Sequence, residues 1–390
     1  MTHTLFRNIL VILLTVVCGA LPAQQATTAT DAIHPDWQKI EGLETQKALE
    51  EIEKIYWATL NEKQYIQTLN AIAYRMKRQR EIQKDATGLL IDSLKLDAER
   101  LPQPAKSIIY SLIADEYRAY FRDRWYYLEN RPRASAVNDD YTTWDISRLT
   151  EEALKYFKLS IQDAEILQQT PIDAYKELLL IVPKITNKKP TLPTLYDLLV
   201  FQALQTFSYE LSNWLPQLPF AFNQAAYFAD AHTFANCQIP AIDTLSAKYL
   251  VLSLFQQALR FRLQQPDDDL NRYALVSMDI ERLQYVHDKG QFGNSDMLFE
   301  KALKDLIDKY QAYPEKYYPM YALANLYKDQ AEKWRKALRN KYIEAYDLCE
   351  QIAASGDSVL SLVARRLQDE IKIPSVELAL NYLQYPETPL

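Results

Sequence analysis

The residues best suited to chemistry in this chain lie in the stretch YRAYFRDRWYYLENRPR, which runs from 117 to 133. Aromatic faces stack on sugars or nucleobases, and arginines bind anionic groups beside them. The same side chains suit a protein interface, where long arginines cover aromatic rings and pair with acidic neighbours. The composition favours the interface and leaves a carbohydrate-binding domain open as the alternative. The candidate interaction cluster consists of Arg118, Tyr120, Arg122, Arg124, Trp125, Tyr126, Arg131 and Arg133.

The other groups that could do chemistry lack the spacing that metal or nucleophile sites need. No two of the four histidines are four residues apart, the spacing that puts two ligands on one helix face. The acidic run from Asp267 to Asp269 lacks the alternating ligands and the glycine of a calcium loop, and predicts a solvated turn after Pro266. The histidines are His3, His34, His232 and His287.

Glycine is scarce, with six residues in 390 against an average usage of roughly 7%. Phosphate-binding loops, nucleophile elbows and dinucleotide turns all need glycine where the backbone bends sharply, and none of those patterns occurs. Cys237 and Cys349 could pair in an oxidising compartment, but two isolated cysteines on helical faces are typical of buried thiols. We therefore expect no catalytic residue, no cofactor, no metal and no enzymatic activity.

Helical periodicity explains how these residues are positioned. The stretches ETQKALEEIEKIYWATL and QYIQTLNAIAYRMKRQREI place apolar side chains three and four residues apart, and the short linker NEK between them predicts a hairpin. The longest candidate helix, PAKSIIYSLIADEYRAYFRDRWYYL, carries Ile108, Leu112, Tyr120 and Trp125 along one side. Helix resumes at about Ser147 and is predicted to continue to Gln168, and Thr170 followed by Pro171 predicts the start of the next helix.

The sequence after Pro193 predicts a buried helix whose N-terminus is capped. Thr194 is placed as an N-cap, and Asp197 three residues later is the acidic partner of a capping box, which explains this carboxylate without a catalytic role. The helix carries apolar residues around most of its circumference, which predicts burial on several sides. We expect Leu198, Leu204 and Phe207 to lie in the core.

The N-terminus has the layout of a secretory signal peptide. Arg7 precedes the apolar run ILVILLTVV, and cleavage after Ala20 or Ala23 leaves a polar start. Lipidation of Cys18 is the less favoured alternative, because TVVC lacks small residues before the cysteine. We expect a periplasmic or cell-envelope protein without a transmembrane span in the mature chain. The formal net charge of −7 disfavours nucleic acid or an anionic membrane as partner.

Together these patterns predict an all-α fold, an array of antiparallel helix hairpins of α-solenoid or tetratricopeptide-like type without substantial sheet. The predicted organisation is a signal peptide at 1–23, a disordered tail at 24–35, N-terminal hairpins at 36–130, a loop at 131–145, a central helical region at 146–312, a tetratricopeptide-like hairpin at 313–373 and a tail at 374–390 that leads toward a missing downstream domain.

Several segments resemble the N-terminal helical region of bacterial alpha-2-macroglobulin-like envelope proteins. The clearest is LPTLYDLLVFQALQTF, where Leu192 stands in place of the family's arginine. QKALEEIEKIYWATL, SIIYSLIADEYRAYF and MYALANLYKDQAEKWRKALRNKYIEAYDLCEQIAASGDS follow the same order as in that region. The resemblance implies a non-catalytic helical scaffold, because full-length members continue into β-sandwich macroglobulin domains and, in many, a bait region and a thioester domain that trap proteases.

This resemblance also implies a protein partner, either the downstream macroglobulin domains or another envelope protein. The chain would then be a fragment lacking those domains, or a free-standing relative that acts as an adaptor. Cys349-Glu350-Gln351 is similar to the thioester motif Cys-Gly-Glu-Gln, but the glycine is missing and the cysteine lies in a helical pattern. A thioester needs a tight loop, so we expect none here.

Overall fold

The computed structural model describes residues 33–83, 86–128, 131, 140–175, 192–210, 222–240, 246–333 and 338–373. This part of the chain contains fifteen α-helices and no strand or sheet, which confirms the predicted all-α fold. None of the described helices is long and apolar enough to cross a membrane. The predicted signal peptide, nearly all of the polar tail, most of the 131–145 loop and the 374–390 tail lie outside the described residues.

The chain forms two compact units. The first runs to Tyr285 and includes Lys289–Gln291, while the second contains Val286–Asp288 and the residues from Phe292 onward. The helices up to the end of the first unit are α1 (Trp37–Glu41), α2 (Thr45–Asn61), α3 (Tyr65–Ile82), α4 (Thr87–Arg100), α5 (Ala105–Leu128), α6 (Ile146–Ile161), α7 (Ala164–Gln168), α8 (Leu195–Gln205), α9 (Ala231–Asn236), α10 (Ala247–Leu263) and α11 (Asp269–Lys289).

The predicted hairpin of α2 and α3 is confirmed. Ala48, Ile52 and Tyr56 recur every four residues along α2 and are buried, as an amphipathic helix requires. The turn between the helices is closed by Lys63, whose φ of 56° lies in the left-handed region. This turn therefore allows α3 to return along α2 over its whole length.

The apolar face predicted for α5 is buried only in part: Tyr120 is 4% exposed, but the buried positions before it are shifted by one residue. Ile108 and Leu112 are only half-buried, whereas Ile109, Ile113 and Tyr117 are no more than 1% exposed. The reason is that α5 packs against both α4 and α6, so two neighbours share its circumference. When an apolar face is wide enough to pack against two helices, periodicity alone does not show which residues lie at its centre.

The segment after α5 holds two further differences from the prediction. The single helix expected to run to Gln168 breaks at Gln162, where α6 ends and α7 follows after Asp163. Thr170 and Pro171 were expected to start an α-helix, but Ile172–Tyr175 forms a 3-10 turn. The Thr170 hydroxyl donates back to the Ile166 carbonyl at 2.7 Å, so it completes the end of α7.

The capping box that starts α8 is confirmed. Thr194 Oγ1 accepts from the Asp197 backbone N–H at 3.3 Å, and the Thr194 backbone N–H donates to Asp197 Oδ2 at 2.9 Å. Leu204 and Phe207 are buried as predicted, each 2% exposed. The prediction for Leu198 is wrong, because this side chain is half-buried and its neighbour Leu199 is the buried leucine.

Four helices build most of the described part of the second unit, and consecutive ones pack against each other. Gly356, with φ of 80°, forms the turn between the last two. Their core is a single cluster that includes Tyr321, Cys349 and Leu367. The helices are α12 (Ser295–Lys309), α13 (Tyr317–Lys333), α14 (Lys341–Ala353) and α15 (Ser358–Lys372).

Candidate functional site

The arginines of the candidate interaction cluster are engaged along α5 itself. Arg118 lies 3.1 Å from the Asp115 carboxylate, one turn away. Arg122 Nε donates to Asp123 Oδ1 at 3.2 Å in an exposed pair. The guanidinium of Arg124 stacks over the Tyr120 ring, 4.4 Å from its centroid. Arg124 therefore covers an aromatic ring, and Arg118 and Arg122 pair with acidic neighbours on the same helix.

Tyr120 and Arg131, two further members of the cluster, contact residues that follow α5 in the chain. Tyr120 is 4% exposed and meets the Tyr141 ring edge-on, with 4.8 Å between centroids. Arg131 donates to the Trp144 carbonyl at 2.9 Å and to the Thr142 carbonyl, so it fixes the short turn before α6. Trp125 is half-buried with its edge toward the Phe121 ring at 5.5 Å. Arg133 lies outside the described residues.

Tyr126 and Tyr127 are the part of the cluster region that faces solvent. They are 79% and 75% exposed, and their rings lie edge to face with centroids 6.0 Å apart. Tyr126 follows the buried Tyr117 by nine residues, which is two and a half helical turns and places it on the opposite side of α5. We call this pair the tyrosine surface. The sequence prediction missed Tyr127, which follows Tyr126 directly in the chain.

Helices α2, α3 and α4 are joined by a buried polar network that the sequence prediction did not find. The Tyr56 hydroxyl donates to Asp97 Oδ1 at 2.7 Å, Arg75 pairs with the other carboxylate oxygen, and Arg100 reaches the Tyr56 hydroxyl at 3.3 Å. Burial raises the pKa of Asp97, and the Arg75 guanidinium opposes that rise. Burial also raises the pKa of Tyr56 to about 12. The carboxylate is 1% exposed, so the network locks three helices together.

Asp197 makes a second interaction beyond its capping box. Arg262 on α10 donates to both carboxylate oxygens, at 2.9 Å from Nε and 2.6 Å from Nη2. Both side chains are buried, and Asn271 accepts from the remaining guanidinium nitrogen at 3.2 Å. Burial raises the pKa of the Asp197 carboxyl, while Arg262 and Thr194 act in the opposite direction. The carboxylate has no exposed face for a substrate, which agrees with the predicted structural role.

His287 in the second unit is held between two carboxylates. Its Nδ1 lies 3.0 Å from Asp288 Oδ1, its Nε2 lies 2.8 Å from Asp296 Oδ1, and the ring stacks on Phe299. Burial lowers the pKa of His287, but the two carboxylates outweigh that effect and the pKa is raised. Within the described residues, no group of three or more histidine, cysteine or acidic side chains could hold a metal ion. The arrangement therefore joins α11 to α12.

Cys349 lies on α14 inside the core of the second unit and is fully buried. Burial raises the pKa of its thiol to about 12, so the reactive thiolate is strongly disfavoured. Glu350 and Gln351 are exposed, on the opposite side from the sulfur. Cys237 is also a free thiol and belongs to the first unit. The pairing of these two cysteines, which the sequence left open, does not occur in this structure.

No family model, curated protein or solved structure matches this chain. The resemblance to macroglobulin-like envelope proteins therefore stays an expectation from the quoted sequence segments.

Proposed function

We propose that this protein is an exported, non-catalytic helical scaffold that binds another protein through the tyrosine surface. The observation that carries the proposal is the exposure of Tyr126 and Tyr127, each about three quarters open to solvent at the end of the longest described helix. Tyrosine and arginine are enriched at the energetic centres of protein interfaces. Arg122 is also exposed beside them, which adds a polar rim to the aromatic centre.

The residues around the tyrosine surface are already held in place by contacts within the fold, which supports a binding role. Arg124 is stacked on Tyr120, and Arg131 holds backbone carbonyls of the following turn. A tyrosine side chain on such a support loses little conformational freedom on binding, since only two torsions are ordered. The tyrosine surface therefore has the properties of an interface centre.

The sequence similarity supports a more specific form of the proposal. We infer that the chain corresponds to the helical region of a macroglobulin-like envelope protein, with a β-sandwich macroglobulin domain or another envelope protein as its partner. The signal-peptide layout supports a periplasmic or envelope location. The family's protease-trapping activity depends on bait and thioester domains, so the proposed role of the helical region is presentation and binding.

Site-specific photo-cross-linking tests the partner. A photoreactive phenylalanine analogue replaces Tyr127 in one sample and Ile166, another exposed apolar residue of the first unit, in the matched control. We expect one discrete protein adduct at position 127 and none at 166, with mass spectrometry identifying a macroglobulin-type domain or an envelope protein. The proposal fails if neither position, or both equally, gives an adduct.

Carbohydrate binding is the second candidate, because exposed tyrosine rings also stack on sugar faces. A glycan array probed with the wild type and with the Tyr126→Ser, Tyr127→Ser double variant distinguishes the two. Specific glycan binding that disappears in the double variant would support this candidate and contradict a protein partner.

Export is tested separately by mass spectrometry of the native N-terminus, where we expect a start at Gln24 or Leu21. A retained Met1 or a lipid on Cys18 would contradict soluble export.

A further inference from the structure

Cys237, which directly follows the last residue of α9, is a free thiol that solvent can reach in part. Its backbone N–H donates to the Phe234 carbonyl at 3.2 Å, so the end of the helix fixes the position of this residue. The Gln256 side-chain amide on α10 donates to the Phe234 carbonyl at 2.9 Å and to the Cys237 carbonyl at 2.8 Å. The same nitrogen lies 3.6 Å from Cys237 Sγ. The thiol is therefore held at a defined place beside α10.

Two arginines make the surroundings of this thiol positive. Arg260 Nε donates to an α9 carbonyl at 2.7 Å, and Arg282 Nη1 donates to the Tyr227 carbonyl at 2.6 Å. Burial raises the pKa of Cys237, while the Gln256 hydrogen bond and the charges of both arginines oppose that rise. A partly exposed thiol among positive charges is accessible to oxidants, but its raised pKa keeps the reactive thiolate a minor form. The unusual feature of the site is therefore what could stabilise an oxidised sulfur.

Tyr227 supplies that feature, because it places an unused hydrogen-bond donor beside the thiol. The side chain is 0% exposed, and its hydroxyl has no hydrogen-bond partner within the part of the chain that the structure describes. Its ring meets the Phe234 ring edge-on with 6.5 Å between centroids, and charge on Cys237 contributes to raising the pKa of Tyr227. Buried hydroxyls nearly always have a partner, since desolvation without one is costly. An oxygen atom bonded to the sulfur would give this hydroxyl an acceptor.

We propose that Cys237 is a site of reversible oxidation, where hydrogen peroxide converts the thiol into a sulfenic acid that the Tyr227 hydroxyl stabilises by a hydrogen bond. The sulfur attacks one peroxide oxygen, so the S–O bond forms as the O–O bond breaks. The departing hydroxide takes up the thiol proton and becomes water, and the two electrons that sulfur loses reduce the peroxide. Glutathione then forms a mixed disulfide with loss of water, and a second glutathione releases the thiol. The proposal does not depend on the protein-binding role of the tyrosine surface.

Dimedone, which bonds to sulfenic acids and not to thiols, tests the proposal on the full chain. The protein is treated with hydrogen peroxide, and catalase then removes the excess. Glutathione is added at a fixed concentration, and dimedone added after timed delays captures the sulfenic acid that remains. Peptide mapping by mass spectrometry measures the adduct at each cysteine. We expect an adduct at Cys237 and none at Cys349, which is fully buried in the second unit.

Tyr227→Phe tests the stabilising hydrogen bond. This variant removes only a hydroxyl that is unpaired within the described residues, so the fold should be kept. We expect its sulfenic acid to react with glutathione about fivefold faster than that of the wild type, which is the factor for one neutral hydrogen bond. Tyr156→Phe changes another buried tyrosine, one that packs against Tyr110 and Tyr117, and as the matched control it should keep the wild-type rate.

The proposal is overturned if the Cys237 peptide carries no dimedone adduct, or if Cys349 is labelled equally in the native protein. It is also overturned if Tyr227→Phe loses its sulfenic acid at the wild-type rate. Should that variant fail to fold, the wild type decides the question. A Cys237 sulfenic acid that reacts with glutathione as fast in the native chain as in the urea-unfolded chain would show that the fold does not stabilise it.

Discussion

Asp197 is a residue whose two roles can be separated by mutation. The sequence around it predicts only a capping box, which is worth about 0.5–2 kcal/mol. The structure adds the buried Arg262 pair. We therefore expect Asp197→Ala to lower the free energy of unfolding by about 3–5 kcal/mol in urea titrations, because it leaves a buried guanidinium without its counter-charge.

The matched control for this variant is Asp145→Ala. Asp145 caps α6 by accepting from the Arg148 backbone N–H at 2.9 Å. Asp145→Ala should lose only the contribution of the N-cap to the free energy of unfolding, about 0.5–2 kcal/mol. Equal losses in the two variants would show that Arg262 is solvated or finds another acceptor. A double variant with leucine at 197 and methionine at 262 should recover much of the loss, since it removes both charges together.

At the residue scale, the sequence predicts contacts between near neighbours in the chain but not contacts between distant residues. Thr194 and Asp197 are three residues apart, so their interaction could be predicted from a local pattern. Arg262 is 65 residues from Asp197, and nothing in the local sequence of either residue indicates the other. The exposure of Tyr126 follows from its position relative to Tyr117. The arginines on α5 find their partners within four residues, whereas the contacts of Arg131 with the Thr142 and Trp144 carbonyls depend on the fold.

Helix α8 gives a prediction at the scale of an element. Leu198 and Leu199 are adjacent and identical in chemistry, yet Leu199 is 2% exposed and Leu198 is half-buried. We expect Leu199→Ala to cost about 2–5 kcal/mol of unfolding free energy and Leu198→Ala clearly less. Thermal melts of the two variants measure the difference. A larger loss for Leu198→Ala would mean that the helix is rotated from the orientation described here.

Helix α14 gives a second prediction at this scale, concerning its thiol. Because Cys349 is buried in the core of its unit and Cys237 is partly exposed, iodoacetamide should label Cys237 first in the native protein. Cys349 should react only after denaturant unfolds the second unit. Peptide mapping after timed labelling measures both rates. Rapid native labelling of Cys349, or incorporation of methylamine at Gln351, would contradict the buried thiol and the expected lack of a thioester.

Periodicity predicts the existence of these helices better than their ends or their orientation. The break after α6 at Gln162 was missed because the apolar pattern continues through it into α7. The buried stripe of α5 shifted because two helices pack on it. The network of Tyr56, Arg75 and Asp97 could not be predicted, since its residues come from three helices that meet only in the folded chain.

At the scale of the molecule, the Asp329 carboxyl should make the second unit lose stability between mild acid and neutral pH. Burial raises the pKa of Asp329 from its usual value of 3.8 to about 6, and the nearby Asp288 and Glu332 carboxylates raise it further against the opposing charge of Lys328. A folded pKa above the unfolded value means that stability is fully present below about pH 4 and is lost as the pH rises through about 6. The raised pKa of His287 acts in the same direction.

Urea unfolding followed by circular dichroism at about pH 4 and about pH 7 measures this loss. Asp329→Asn cannot titrate, so we expect its stability to fall less between the two conditions than that of the wild type. Parallel pH profiles for the two proteins would show that the Asp329 carboxyl is solvated. Asp305→Asn, an exposed carboxylate on α12 in the same unit, serves as the control and should leave the wild-type profile unchanged.

Arg282 on α11 makes contacts in the first unit that can form only late in synthesis of the chain. This side chain is fully buried, and it donates to the Tyr227 carbonyl at 2.6 Å, 55 residues earlier in the chain. Its guanidinium also stacks over the Phe234 ring, 4.7 Å from the centroid. Gln256 and Arg260 of α10 contact the Phe234 and Ala235 carbonyls, so this region has partners before α11 is made. The Tyr227 carbonyl and the Phe234 ring, in contrast, gain their contacts with Arg282 only after the ribosome has added α11.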